Sequence, residues 1–166
     1  MTSPVLNIAD ARGFDNDFGG SETFGARLAP MGDALGAKDL GVMYMEVQPG
    51  KRAFPFHNHH AKEEMFIILE GTGTYRFGEA SHPIRKGDIC SAPKGGQETA
   101  HQIINTGEVV LKYLSLSTKL DPDIVEYPDS GKFAALAIGE GNSFDTAHIR
   151  FIGRMEDTRD YLEGEE

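Results

Sequence analysis

The residues best suited to chemistry in this sequence are His57 and His59, one position apart, followed by Glu64. On a β-strand, side chains two positions apart point to the same face, so the two imidazoles would lie side by side. Glu64 is far enough along to return on a neighbouring strand after a turn at 60–62. Imidazole and carboxylate are ligands of zinc, manganese, iron and nickel. His101 opens a later strand-like run, and we predict that these four side chains bind one divalent metal ion.

The identity of that metal is left open, because three imidazoles and one carboxylate suit most of the divalent series. An octahedral ion held by four protein ligands keeps two positions for water, substrate or dioxygen, whereas a tetrahedral zinc would be closed or nearly so. Open positions let a bound ion act as a Lewis acid or activate a ligand. The ligand set therefore indicates either catalysis or metal-dependent binding of a small molecule.

Glu98 is the candidate catalytic residue. It lies in the segment Gly96–Ala100, immediately before His101. If this loop folds over the metal, Glu98 could act as a general base about one water molecule from a bound substrate. The alternative is a solvent-exposed loop carboxylate, which is the commoner state of glutamate.

The elements that must position these residues are β-strands. From residue 41 to residue 117, short apolar or alternating runs are separated by turns rich in Gly, Pro and Asp, a pattern typical of an all-β sandwich or barrel. Hairpins are predicted around Gly71–Gly73 and around Thr106–Glu108. A weak apolar stripe from Met155 to Leu162 predicts a short C-terminal helix. The predicted strands are 42–47, 54–59, 64–70, 74–77, a short one beginning at Ile84, 89–92, 101–105 and 109–115.

The same strand pattern gives expectations for several other polar side chains. His60 and Glu63 should face away from the metal ligands, because side chains alternate along a strand. Tyrosines in the strands could point into the barrel or pack in its core, namely Tyr44, Tyr75 and Tyr113. Scattered basic residues could contact an anionic substrate or lie in solvent, namely Arg52, Arg76, Arg85 and Lys94.

The flanking segments are expected to belong to the same domain as the barrel. Residues 41–117 would form its core, and residues 118–166 a C-terminal extension. Residues 1–40 are expected to form an arm that packs on the barrel. This arm contains three phenylalanines within a polar, glycine-rich stretch, namely Phe14, Phe18 and Phe24.

Composition restricts the class of partner. The 166 residues carry a net charge of −10, from 16 basic and 26 acidic residues, which argues against nucleic acid or an anionic membrane as the partner. Cys90 is the single cysteine, in keeping with a reducing compartment, and its apolar neighbours suggest a buried packing role. The N-terminus has no signal-peptide pattern, and the longest apolar run, Met65–Leu69, is too short to span a bilayer. We therefore expect a cytoplasmic protein whose partner is a small molecule.

The motif residues resemble the two conserved motifs of the cupin superfamily. The first motif is glycine, His-x-His, glutamate and glycine, matched by Gly50, His57, His59, Glu64 and Gly71. The second is glycine, Pro-x-Gly, histidine and asparagine, matched by Gly87, Pro93, Gly95, His101 and Asn105. Two spacings depart from the family pattern. Six residues rather than five separate Gly50 from His57, and five rather than two separate Gly95 from His101.

This resemblance implies a fold, a metal site and an assembly. The fold would be a double-stranded β-helix, the cupin jelly roll. One metal ion would lie in the barrel mouth, held by His57, His59, Glu64 and His101, and homodimers would be frequent. The segment 125–132 resembles a little-characterised bacterial branch of single-domain, metal-binding cupins, which are sometimes described as sugar-phosphate isomerases.

Two classes of function remain open. The first is a mononuclear-metal enzyme acting on a small polar substrate, with an isomerase or epimerase of a sugar or sugar phosphate favoured over a dioxygenase. The dioxygenase would need redox-active iron and a drier pocket. The alternative is a non-catalytic, metal-dependent small-molecule binding protein or sensor. An enzyme requires a titratable side chain, other than the four ligands, near the open metal position, whereas a binding protein does not.

Overall fold

The computed structural model describes residues 3–139 and 146–165, where the regular elements are β-strands and short 3-10 turns. The strands are β1 (Phe14–Asn16), β2 (Ala26–Pro30), β3 (Leu40–Val47), β4 (Asn58–His59), β5 (Glu64–Glu70), β6 (Thr72–Phe77), β7 (Ala80–Arg85), β8 (Ile89–Ala92), β9 (His101–Ile104), β10 (Leu111–Thr118), β11 (Asp123–Tyr127), β12 (Lys132–Ala137) and β13 (Ile149–Gly153). The 3-10 turns are Ile8–Asp10, Asp33–Leu35, Gln97–Thr99, Pro128–Ser130 and Met155–Asp157. The all-β prediction is confirmed.

The strands form three antiparallel sheets around one main core. The largest has the order β1-β2-β3-β10-β5-β8, the second β13-β12-β11-β4, and the third β7-β6-β9. The main core takes Met45, Ile68 and Leu111 from the six-stranded sheet and Tyr75 and Ile103 from the three-stranded sheet. These two sheets therefore pack face to face, as the inward side chains of a β-sandwich or jelly roll do.

The two predicted hairpins around Gly71–Gly73 and Thr106–Glu108 are wrong. β5 pairs with β10 and β8, whereas β6 pairs with β7 and β9, so the chain crosses between facing sheets after Glu70. Gly71 makes this corner with a φ of 85°, in the left-handed region that favours glycine. β9 and β10 likewise belong to different sheets. Turn residues mark where a strand ends but do not determine which strand it pairs with.

The N-terminal segment extends and covers the six-stranded sheet. β1 pairs with β2, and β2 pairs with β3. Leu6 and Ile8 pack against a second buried cluster that includes Met31 and Tyr44. The arm therefore contacts the barrel. The division of the chain into 1–40, 41–117 and 118–166 stays a prediction.

The C-terminal segment contains strands that the sequence analysis did not predict. β11 pairs with β12 and with β4, placing Val125 opposite His59. The predicted C-terminal helix is only the 3-10 turn Met155–Asp157, since Met155 is 77% and Tyr161 93% exposed and the stripe has no apolar surface to pack on. Among the described residues, no helix is long and apolar enough to span a membrane.

Candidate metal centre

The three predicted histidine ligands converge on one carboxylate oxygen of the fourth, Glu64. Glu64 Oε2 lies 3.7 Å from Nε2 of His57, 3.5 Å from Nε2 of His59 and 2.9 Å from Nε2 of His101. One ligand atom each from His57, His59 and Glu64 lies within 4.8 Å of the others, which is close enough to share a metal ion. Nε2 of His101 lies at hydrogen-bond distance, 2.9 Å, from Glu64. Its role as a fourth metal ligand stays a prediction.

The local backbone explains why the two histidines of the His-x-His run share a face. They flank Asn58, which points the opposite way and is fully buried. The Asn58 amide donates hydrogen bonds to the carbonyl of Gly95 and to the carboxylate of Glu126, both at 2.9 Å. Reciprocal backbone hydrogen bonds join His57 to His101. These contacts hold β4, which is only two residues long, against its neighbours.

Acceptors surround the imidazoles on the side opposite Glu64 as well. Nδ1 of His57 lies 2.8 Å from the carbonyl of Pro55, and Nδ1 of His59 lies 2.6 Å from Asp123 Oδ2. A neutral imidazole carries one proton and can donate to only one of its two neighbours. With Nδ1 of a neutral ring donating outward, its Nε2 and the Glu64 carboxylate would face each other as two acceptors, and a proton or a cation must lie between them. A divalent cation between them satisfies all of these groups, so the donor set fits a metal ion.

Charge and burial agree with this arrangement. Burial opposes ionisation of Glu64, but hydrogen bonds from the three imidazoles outweigh it and hold its pKa well below the usual range. Burial also opposes a charge on His59, but its hydrogen bonds to Asp123 and Glu64 raise its pKa to about 9. Burial lowers the pKa of His101. The carboxylates of Asp123 and Glu64 therefore stabilise a proton on His59, which a metal ion bound at Nε2 would have to displace.

Asp123 is the functional residue that sequence reasoning missed. Its side chain is fully buried, and it accepts hydrogen bonds from His59 and from the backbone N–H of Ala61, the latter at 3.0 Å. Lys62 Nζ lies 4.0 Å away. Asp123 reaches the cluster because β11 pairs with β4, a contact between positions that are 64 residues apart. No local sequence pattern encodes that pairing.

The metal cluster opens into a cavity of about 390 Å³, a size suited to a small molecule. Part of its wall is apolar, with Phe54 and Phe66 beside the cluster. Tyr113 also lines it and is only 2% exposed. Of the other two tyrosines considered, Tyr75 donates a hydrogen bond to the carbonyl of Ser91, and Tyr44 to Glu46 outside the main core.

Glu98 is not brought to the cluster. Its side chain is exposed, and its carboxylate accepts a hydrogen bond from the backbone N–H of Gly96 at 3.0 Å. The 3-10 turn Gln97–Thr99 directs the side chain back onto its own loop, and the residues lining the cavity do not include it. The catalytic role of Glu98 therefore stays a prediction without a supporting contact.

The basic residues considered for substrate binding also lie elsewhere. Arg76 forms a bidentate ion pair with Asp129 and stacks on Phe56, with 4.0 Å from its guanidinium carbon to the ring centroid. Arg52, Arg76, Arg85 and Lys94 are all absent from the cavity wall, as far as the described residues show. Among the described residues, Lys119 is the lysine or arginine that lines the cavity, and no sequence pattern pointed to it.

The architecture and the convergent donors together define a class, an all-β jelly roll with a candidate mononuclear metal centre. Residues 43–117 match the family described as Cupin domain. This match spans the stretch that carries both motifs, so the family resemblance of the two motifs is confirmed.

Solved structures extend the likeness over nearly the whole chain. A candidate sugar phosphate isomerase from Acidithiobacillus ferrooxidans is similar with a TM-score of 0.76 and 26% identity, over 95% of this chain and 96% of that one. A sugar phosphate isomerase of the cupin superfamily from Silicibacter pomeroyi has a TM-score of 0.70 and 20% identity, over 83% and 82% of the two chains. At that identity the second likeness shows the fold alone.

A curated relative matches only the core. The oxalate-binding protein of Thermotoga maritima is 32% identical over 72 residues, which is 43% of this chain and 56% of that protein. The chain spans about half the length of the curated relatives it matches.

Proposed function

We propose that this protein is a metal-dependent enzyme that isomerises or epimerises a sugar or sugar phosphate. The observation that carries the proposal is the convergence of His57, His59 and His101 on Glu64 at the wall of a cavity large enough for such a molecule. The likeness to the candidate isomerase from Acidithiobacillus ferrooxidans supports this choice of reaction.

A divalent metal bound here would polarise a carbonyl or hydroxyl of the substrate. The protein's own residues would then orient that group and exclude water. Burial and the nearby charge of Glu64 raise the pKa of Tyr113 far above its usual value, so its hydroxyl stays protonated at neutral pH. Tyr113 can therefore donate a hydrogen bond to a substrate oxygen and stabilise negative charge that develops there.

A non-catalytic binding protein is the second candidate, and one observation favours it. Among the described residues, the carboxylates that line the cavity belong to Glu64 and Asp33. The Asp33 side chain is 89% exposed and pairs with Lys119 at the rim. A proton-transfer reaction would therefore have to use Glu64 itself or a displaced histidine as its base.

Solvent exchange separates these two functions. Protein purified without chelator would first be analysed for zinc, manganese, iron and nickel. It would then be incubated in D₂O with erythrose 4-phosphate, ribose 5-phosphate and glucose 6-phosphate, and followed by ¹H NMR. An isomerase converts one of these sugars into its isomer or epimer, with deuterium incorporated beside the carbonyl where the moving proton exchanges with solvent, and the His59→Ala variant should lose this conversion. Bound metal and bound sugar without conversion would contradict the isomerase and favour the binding protein.

A further inference from the structure

One wall of the cavity is a polar stripe along β10, which we define as Tyr113, Ser115, Ser117 and Lys119. All four residues line the cavity. Because side chains alternate along a strand, residues 113, 115 and 117 share its inward face. Lys119 follows β10 at the mouth of the same cavity.

The strand register places this stripe beside the metal cluster. Ser117 pairs directly with Glu64 on β5, and Ser115 with Phe66. Directly paired residues on antiparallel strands have Cβ atoms about 4.5–5.5 Å apart and point to the same face. On its other side Ser117 pairs with Gly41, where an added Cβ would lie 2.5 Å from the serine oxygen. The glycine therefore leaves the space that the Ser117 hydroxyl occupies.

The hydroxyls of the stripe have no hydrogen-bond partner among the residues that the structure describes. In the ranges 3–139 and 146–165, none of Tyr113, Ser115 and Ser117 makes a side-chain hydrogen bond, although Tyr113 is 2% exposed and the serines are half-buried. Inward-facing hydroxyls in proteins are normally hydrogen-bonded. Three unpaired hydroxyls in a row therefore offer hydrogen bonds to an oxygen-rich ligand.

Lys119 adds a positive charge at the outer end of the stripe. Its ammonium pairs with Asp33 and lies 3.3 Å from the carbonyl of Ala37. The side chain of Asp33 is 89% exposed, and exposed ion pairs contribute little, so a ligand anion can replace it. Lys119 is two residues along the chain from Ser117, so their Cα atoms lie at most about 7 Å apart. An extended chain of four or five carbons spans that distance.

We propose that the β10 stripe is the specificity wall of the site and selects a phosphorylated polyol. The carbonyl end would lie at the metal cluster, the phosphate at Lys119, and the hydroxyls between them beside Ser117. A lysine ammonium is a compact point charge of the kind that commonly binds phosphate. This inference rests on the proposed function and adds to it the binding mode of the substrate.

Calorimetry on the protein as purified tests the inference. The probes are erythrose 4-phosphate, ribose 5-phosphate and glucose 6-phosphate, each with its unphosphorylated sugar, and ribonate as a carboxylate. At least one phosphorylated sugar should bind tenfold or more tightly than its unphosphorylated form and than ribonate. Lys119→Gln should remove that preference. Ser117→Ala should weaken both forms by a similar factor of about three to ten, as expected for one lost hydrogen bond.

Lys112 provides the matched control. It lies on the same strand, faces outward and pairs with Glu70 at 2.8 Å. Lys112→Gln should leave every affinity unchanged, and thermal melts establish that all variants are folded. The inference is overturned if no sugar gains affinity from its phosphate, if ribonate binds best, or if Lys119→Gln keeps the preference.

The same measurements separate this inference from the proposed function. A phosphorylated sugar that binds through Lys119 but is not converted to an isomer or epimer supports the specificity wall and contradicts the isomerase. If the Lys119→Gln variant still converts the sugar with an unchanged KM, the role of Lys119 is overturned and the isomerase remains supported.

Discussion

Replacing Asp123 by asparagine should weaken metal binding at the candidate centre. The Asp123 carboxylate accepts two hydrogen bonds with different oxygens, Oδ1 from the N–H of Ala61 and Oδ2 from Nδ1 of His59. Asparagine has one acceptor atom and one donor group. If its oxygen keeps the bond to Ala61, its amide faces His59 and requires an unprotonated Nδ1. The ring proton then moves to Nε2, where it blocks the metal.

The size of the effect follows from the role of such contacts. Loss of a hydrogen-bond partner behind a metal-bound histidine typically costs 10- to 100-fold in metal affinity. This corresponds to about 1.4–2.7 kcal/mol. The side chain of Asp123 is fully buried, and the bond to His59 is 2.6 Å long, so we expect the upper part of that range.

The assay is a competition titration of zinc or manganese against a chromophoric chelator, on wild type and Asp123→Asn. Asp129→Asn is the matched control, since Asp129 pairs with Arg76 and its side chain is 56% exposed away from the cluster. Metal-free melts would establish that both variants fold. If Asp123→Asn is folded and binds metal within threefold of wild type, the positioning argument is refuted.

Three further predictions concern the thiol, the core and the assembly. Burial raises the pKa of Cys90 to about 11, so the neutral thiol dominates at pH 8. Iodoacetamide should therefore modify Cys90 slowly in the native protein and rapidly once urea unfolds the chain, as measured by mass spectrometry. Rapid labelling of the native protein would contradict this prediction. Ile68→Ala, at a side chain 1% exposed, should lower the free energy of unfolding in urea by about 2–5 kcal/mol. Ile89→Ala, at 64% exposure, should change it far less, and equal losses would refute the assigned core. The homodimer expected from the family should have about twice the 18.1 kDa chain mass by light scattering, and a monomer would remove that expectation.

The strands that the sequence predicted well are those with continuous apolar runs between turn residues. β5 and β8 have the predicted bounds, 64–70 and 89–92. The predicted strand 54–59 shrinks to the two residues of β4, because Pro55 lacks an N–H for the sheet and Phe54 is exposed. Periodicity and turn residues report local geometry, so they located strands without determining their partners.

The candidate site was predictable to the same extent. Side-chain alternation placed His57 and His59 on one face, and the two motifs brought Glu64 and His101 to them. The partner of His59 and the cation of the cavity could not be found this way. Asp123 depends on a sheet contact across 64 positions, and Lys119 lies just past the end of β10, where the alternation pattern no longer applies.

The candidate metal centre lies where the three sheets meet. His59 belongs to the four-stranded sheet, Glu64 to the six-stranded sheet and His101 to the three-stranded sheet. The backbone link between His57 and His101 is an isolated bridge and not part of a longer ladder. A metal ion bound only by the folded chain would therefore add a link between the three sheets and stabilise the native state by mass action.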